Sequence, residues 1–280
     1  MDSTVPLLYH ATISGLCQRV CLSFAEKGIE YRSRLLNIVA GDQYDPHYLR
    51  VVNPNGSMPT LEHGGEYIRE SSDIIKFIDE LPSEKPKLIP DENTELRVRF
   101  DRMLELVNSL HVIVPRMLAM TVPHLAQNPV LSEETRLRIL EKIGEGRKLR
   151  LLRLKDEHPD LAEVAQAFID RIPPPLPPSK KEAMLLKQLD LWDKGFAEIE
   201  TVLEEQKKTS GGQEYWLCAD HITLPDIHLI VLLHRLVFIG QAERLFLVKR
   251  PLLANYYQRF TSRQSFREHC GTVNEAWHSL

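Results

Sequence analysis

Pro82, Pro86 and Pro90 fall within one short segment, and no helix runs through such a stretch. Each proline removes a backbone N–H and clashes with the preceding turn. The segment also separates two hydrophobic patterns. Before it, Leu7-Leu8-Tyr9 is a short strand candidate. Leu16, Val20 and Phe24 then recur at i, i+4 and i+8, one face of a helix, and Gly28 suits its C′ position. Residues 31–37 read as a second strand. Residues 58–62 and 66–69 read as a hairpin around Gly64-Gly65. Residues 71–81 place Ile74, Ile78 and Leu81 on one helical face. The order βαβ then ββα predicts a small mixed sheet with helices packed on it.

Beyond the prolines the period-two alternation is lost and nearly every segment is helical. The chain therefore divides near 82–93, into an α/β domain over 1–83 and an all-α domain over 92–280. The second domain has an unusual middle, an insertion over about 147–180. Residues 147–155 hold five basic side chains and no acidic one, and residues 173–178 hold five prolines. The prolines favour extended polyproline geometry. A helical pattern resumes over 180–208, and Gly211-Gly212 marks a loop.

Ile222-Thr223-Leu224-Pro225-Asp226-Ile227 is the strongest local signal of fold. Thr223 is a good N-cap and Asp226 stands three residues on, the spacing of a capping box. Ile222 and Ile227 occupy the positions of a hydrophobic staple. The helix that follows is apolar nearly all round, so it belongs at the centre of a core.

Two segments carry candidate chemistry. In Ser14-Gly15-Leu16-Cys17, between the first strand and first helix, a hydroxyl and a thiol meet a helix N-terminus, where the dipole favours thiolate. Serine in the first position argues against a dithiol mechanism, and Cys21 one turn on reads as core. The other runs from Asn53 to Leu61 and continues in Glu70-Ser71. Pro59 opens a strand, so Met58-Pro59 is a candidate cis bond that turns the Met58 backbone toward a ligand. Glu70-Ser71 sits at a helix start whose free N–H groups can hold a carboxylate. The same residues also read as a tight turn plus a capped helix.

Composition excludes several functions. The net charge of −4 gives no electrostatic case for nucleic-acid binding. Four cysteines in 280 residues are too few for a disulfide scaffold and point to a reducing compartment. The start of the chain lacks a secretory pattern. The most apolar stretch, 227–240, is interrupted by His228, His234 and Arg235 and is shorter than the ~20 residues of a membrane span. The eleven histidines show no metal-ligand spacing. His10 reads as packing against the first helix or as a ligand contact. Cys218 reads as a buried inert thiol or as a loop thiol open to intermolecular disulfides. Residues 147–155 offer a surface for acidic lipids or a partner, but leucines and basic residues do not separate onto two faces, which favours a solvated helix over an interfacial one.

Taken together, these motifs resemble the glutathione-transferase superfamily over residues 5–270, with Thr223-x-x-Asp226 matching its capping motif. Within it the chain resembles the ganglioside-induced differentiation-associated protein 1 group. The carrying residues are Leu8-Tyr9-His10, Glu157-x-Pro159-Asp160-Leu161, Trp216-Leu217-Cys218, Leu233-His234-Arg235-Leu236 and Lys249-Arg250-Pro251. More distantly, it is similar to tetrachlorohydroquinone-dehalogenase-like transferases. The resemblance implies an α/β thioredoxin-like N-terminal domain followed by the all-α domain. It aligns Ser14 with the activating serine or cysteine, and Cys17 with the second position of that turn. It implies that Met58 and Pro59 clamp the cysteinyl part of glutathione, the co-substrate, while Glu70 and Ser71 hold its γ-glutamyl end. Gly56 stands where some members carry histidine, and Asp73 adds negative charge, so glutathione binding is expected to be weak or lost. The implied function is binding of glutathione and a small hydrophobic electrophile with weak or absent conjugation. The alternative is a non-catalytic adaptor in mitochondrial fission, recruiting a membrane-surface or cytoskeletal partner through 147–180. A homodimer is implied. The chain as given reads as cytoplasmic, and the group's C-terminal membrane anchor is not seen at His278-Ser279-Leu280.

Overall fold

A computed structural model describes residues 5–110, 119–211 and 214–271. Gly212 and the terminal His278-Ser279-Leu280 lie outside the described residues.

The first half forms a four-stranded sheet in the order β2-β1-β3-β4. Strand β1 (Leu7–His10) pairs parallel with β2 (Arg32–Leu35) and antiparallel with β3 (Thr60–His63), which pairs antiparallel with β4 (Glu66–Ile68). The parallel step requires a crossover, and helix α1 (Gly15–Lys27) supplies it. Gly28 ends α1 at φ 63°, where its N–H bonds to the Ala25 carbonyl and that of Ile29 to the Phe24 carbonyl. The face read from the sequence is corrected at one position. Val20 and Phe24 are buried, but Leu16 is exposed at the helix start. Strand β2 is shorter than residues 31–37, and all four of its residues are exposed on the sheet edge. Helix α2 (Ser71–Glu80) packs against α1 and buries Ile74, Ile75 and Ile78.

The proline segment is fastened at several points. Lys27 and Asp79 form a buried ion pair at 3.3 Å. The Asp79 carboxylate also accepts the N–H groups of Leu88 (2.7 Å) and Ile89 (3.1 Å), and Lys27 donates to the Pro86 carbonyl. The Leu88 carbonyl in turn accepts the Leu224 N–H at 3.0 Å. The segment therefore satisfies buried charges of the first half and backbone groups of the second.

Every remaining regular element among the described residues is helical. Helix α3 (Glu95–Leu110) leads to α4 (Glu133–Ile143), α5 (Glu145–Glu157) and α6 (Ala162–Asp170). Helix α7 (Pro178–Thr209) begins at the last proline of the polyproline run. Then come α8 (Leu224–Phe238), α9 (Pro251–Thr261) and α10 (Gln264–His269). As expected, α8 lies in the core, with Ile227, Leu229, Ile230, Leu232, Leu233 and Leu236 inaccessible to solvent. Asp226 extends the expected cap into a wider network. Its carboxylate accepts the Thr223 N–H (2.9 Å) and hydroxyl (2.8 Å), the Leu217 N–H (2.9 Å) and the Tyr256 hydroxyl (3.0 Å). Full burial still pushes the carboxyl pKa up, against the pull of those four donors.

Helix α5 is not simply a solvated surface helix. Leu149 and Leu152 are exposed, but Leu151 and Leu154 are buried in a separate apolar cluster. That cluster joins Tyr44 and Leu49 of the first half to Leu161, Ala165 and Phe168. Arg50 adds a bidentate pair with Asp160, both bonds 2.8 Å, on the exposed rim. The helices read as an insertion thus pack back onto the sheet domain. No helix among the described residues is long and apolar enough to cross a membrane.

Candidate functional site

Strand register gathers the candidate residues. Tyr9 faces Thr60 and Leu61 faces Ile68 in antiparallel pairs. The turn after β1, the Met58-Pro59 segment before β3 and Glu70-Ser71 after β4 therefore emerge at one end of the sheet. The Met58-Pro59 bond is cis. Buried Asn53 holds this segment, donating to the Ser57 carbonyl (3.2 Å) and Thr60 hydroxyl (3.0 Å) and accepting the Asn55 N–H (3.0 Å). The Tyr48 hydroxyl bonds to the same Ser57 carbonyl at 2.7 Å.

At this end lies a cavity of about 420 Å³ between the two halves. Its volume is in the range of small-molecule sites, about 300–1,000 Å³. Ser14 and Met58 line it, together with apolar side chains that include Ile13, Ile38, Phe238 and Ile239. Ser14 is the N-cap of α1, and its Oγ accepts the Cys17 N–H at 3.4 Å. Pro59 is buried behind the wall. Glu70 and Ser71 lie outside the cavity lining, at the start of α2. The Glu70 side chain makes no capping bond, so its carboxylate is not used by its own helix. Asp73 is exposed and faces Lys76 at 3.6 Å.

Cys17 is not presented to the cavity. It is inaccessible to solvent, its Sγ accepting the Ala11 N–H at 3.4 Å. Burial pushes the thiol up to about 11, against the hydrogen bonds from Ser14 and Ala11. A helix dipole is worth at most ~2 kcal/mol, and here desolvation outweighs it. Cys218 is likewise buried, its thiol pushed up to about 12 by desolvation, as the inert alternative expects. His10 takes the packing role. Its Nε2 bonds to the Ser33 hydroxyl at 2.7 Å and its Nδ1 lies 3.6 Å from Cys21 Sγ, while burial lowers its pKa to about 4. No metal-ligating cluster exists among the described residues.

Three arginines of the helical half also line the cavity: Arg147, Arg150 and Arg235. Arg235, on α8, bonds to the Ile13 carbonyl and to Gln18 Oε1 (3.0 Å). Gln18 in turn donates to the Thr12 carbonyl, so the turn carrying Ser14 is braced from both sides. The basic run 147–155 was visible in the sequence, but the turn of α5 that faces the cavity was not. Gly56 also gains a reason. Its φ is 55°, and a Cβ there would stand 3.0 Å from Phe168 and 3.3 Å from Tyr44. The space a side chain would need is filled by α6.

The glutathione S-transferase N-terminal domain family matches residues 8–86, and the C-terminal domain family matches residues 150–259. Human ganglioside-induced differentiation-associated protein 1-like 1 is 24% identical, over 96% of this chain and 74% of its own length. Glutathione S-transferase TCHQD of Arabidopsis thaliana is 27% identical, over 96% of this chain and 91% of its own. The crystal structure of a glutathione transferase homologue from Drosophila mojavensis, with bound glutathione, superposes with a TM-score of 0.62 at 16% identity, covering 99% of this chain and 96% of that one. With both domains in order and the fold shared along nearly its whole length, the chain belongs to the glutathione-transferase superfamily.

Proposed function

We propose that the chain binds glutathione at the sheet end and uses Ser14 to hold its thiolate against a small hydrophobic electrophile. The observation that carries this reading is Ser14 at the N-terminus of α1, facing one cavity together with Met58. In this reading the Met58 backbone pairs with the cysteinyl unit, and Glu70 with the α2 N-terminus holds the γ-glutamyl end. The Ser14 hydroxyl donates to the sulfur, which lowers its pKa, and the thiolate attacks the electrophile. A route through a Cys17 thiolate is disfavoured by its burial. Turnover is weak, because nothing at position 56 assists the anionic tripeptide. The test is calorimetric titration with glutathione, followed by conjugation of a generic aryl halide by wild type and Ser14→Ala. Binding in the millimolar range and a loss of at least tenfold in kcat/KM are expected. Absence of binding, or normal turnover by the variant, overturns the assignment.

The exposed leucines of α5 favour a second reading, in which the fold serves as an adaptor in mitochondrial fission. Leu149 and Leu152, beside Lys148, form an outward face for a membrane-surface or cytoskeletal partner. Deleting 147–180 would remove a wall of the cavity as well, so the informative variant is Leu149→Ser with Leu152→Ser. Unchanged mitochondrial morphology in cells carrying it would count against the adaptor. The family's habit supports a homodimer, testable by sedimentation.

A further inference from the structure

The cavity is apolar over most of its wall, yet it holds three guanidinium groups and no carboxylate. Arg235 is bonded to the neutral groups of Ile13 and Gln18. Arg147 stacks over the Tyr44 ring, 5.7 Å from its centroid, and Arg150 donates through Nη2 to the Lys142 carbonyl at 3.2 Å. The Nε atoms of Arg147 and Arg150 are buried without a hydrogen-bond partner. Among the described residues no carboxylate lies within 4.0 Å of either guanidinium. Burial depresses the Arg150 pKa, and the neighbouring Arg147 charge adds to that. Two partly buried like charges one turn apart disfavour each other, and an unmade charged hydrogen bond is costly. An anion between them would relieve both.

We propose that Arg147 and Arg150 form an anion subsite, so that the second substrate is an apolar electrophile bearing a carboxylate. The subsite and Ser14 line the same cavity, so the apolar body would lie along Ile38, Val39 and Ile239 while its carboxylate meets the α5 guanidiniums. Gly41 permits this arrangement. A Cβ there would lie 2.6 Å from Arg150 Nε, so the bare backbone leaves the arginine its place. The identity of the substrate class rests on the glutathione reading above. The preference for anions does not.

The first test therefore omits glutathione. Fluorescence titration of wild type with anilinonaphthalene sulfonate, an apolar anion, is compared with neutral N-phenylnaphthylamine. The anion should bind at least tenfold more tightly, and benzoate should displace it. Arg147→Met with Arg150→Met should abolish that preference and leave the neutral probe unchanged. Arg153→Met, exposed on the same helix, should leave both probes unchanged. Equal binding of the two probes by wild type overturns the subsite without reliance on any variant folding.

The second test uses an activated aryl chloride with a nitro group and a carboxylate, against its methyl ester. The glutathione thiolate forms a C–S bond at the carbon bearing chlorine, the C–Cl bond breaks, chloride leaves, and the thiol proton passes to buffer. KM for the acid should be at least tenfold below that for the ester, and the double variant should remove the difference with glutathione KM unchanged. A rise in glutathione KM alone would assign the arginines to glutathione's own carboxylate and overturn the second-substrate role. No turnover of either compound would defeat the glutathione reading, while the probe titration still decides the subsite.

Discussion

Asp226 has the widest reach of any single side chain in the core. One carboxylate ties together the start of α8, the Trp216-Leu217 loop and Tyr256 on α9. A helix cap alone is worth ~1 kcal/mol. Here truncation would strand four donors in a water-free site, where a lost charged bond costs ~1.5–3 kcal/mol and losses do not add fully. Asp226→Ala should therefore destabilise by about 3–5 kcal/mol, read as a fall in the midpoint of a urea unfolding curve. A loss near 1 kcal/mol would mean that water replaces the carboxylate. At this scale the sequence was partly legible. Thr223 and Asp226 announced the cap by spacing, but Leu217 and Tyr256 are distant in sequence and could be joined to it only by the folded chain. Cys17 shows the converse. Its place at a helix start suggested a thiolate, and the neighbours that bury it reversed that.

Helices α5 and α6 act as a unit between the two halves. Phe168 fills the space above Gly56 and packs against Tyr44, with ring centroids 5.4 Å apart and ring planes tilted by 47°. Because their cluster is separate from the main core, Phe168→Ala should loosen this contact while the rest of the helical domain holds. Truncating a buried phenylalanine costs ~3–5 kcal/mol in a rigid site. Here the cost should emerge as early hydrogen exchange in α5 and α6, with protection in α8 retained. Coincident loss of protection in all three helices would show one cooperative unit instead. In the sequence, 147–155 reads as a solvated helix because its leucines and arginines share no clean stripe. The structure shows why. Leu151 and Leu154 face inward, Leu149 and Leu152 face water, and Arg147 and Arg150 face the cavity, so three environments meet one helix.

Across the molecule, buried imidazoles set the response to acid. Burial lowers the pKa of His10 and of His234 to about 4, and of His228 well below its ordinary value. Unfolded, each would bind a proton near pH 6.5, so below that pH the unfolded state holds more protons and stability falls. Stability should be full above about pH 6.5 and decline toward pH 4, by ~2–3 kcal/mol for each of His10 and His234. Thermal unfolding across this range checks it, and His10→Gln with His234→Gln should flatten the slope. An unchanged slope would place the acid sensitivity elsewhere.

By itself, the sequence determined the two-part architecture, the central α8 and the serine at the start of α1. These follow from local physics: proline geometry, hydrophobic period and capping chemistry act within a few residues of one another. The bend of α5 and α6 onto the sheet domain, the burial of Cys17 and the meeting of Arg147, Arg150 and Arg235 with Ser14 were decided only by the tertiary structure. Periodicity tells which face of a helix is apolar. It does not tell which neighbour covers that face, and desolvation and charge pairing depend on the neighbour.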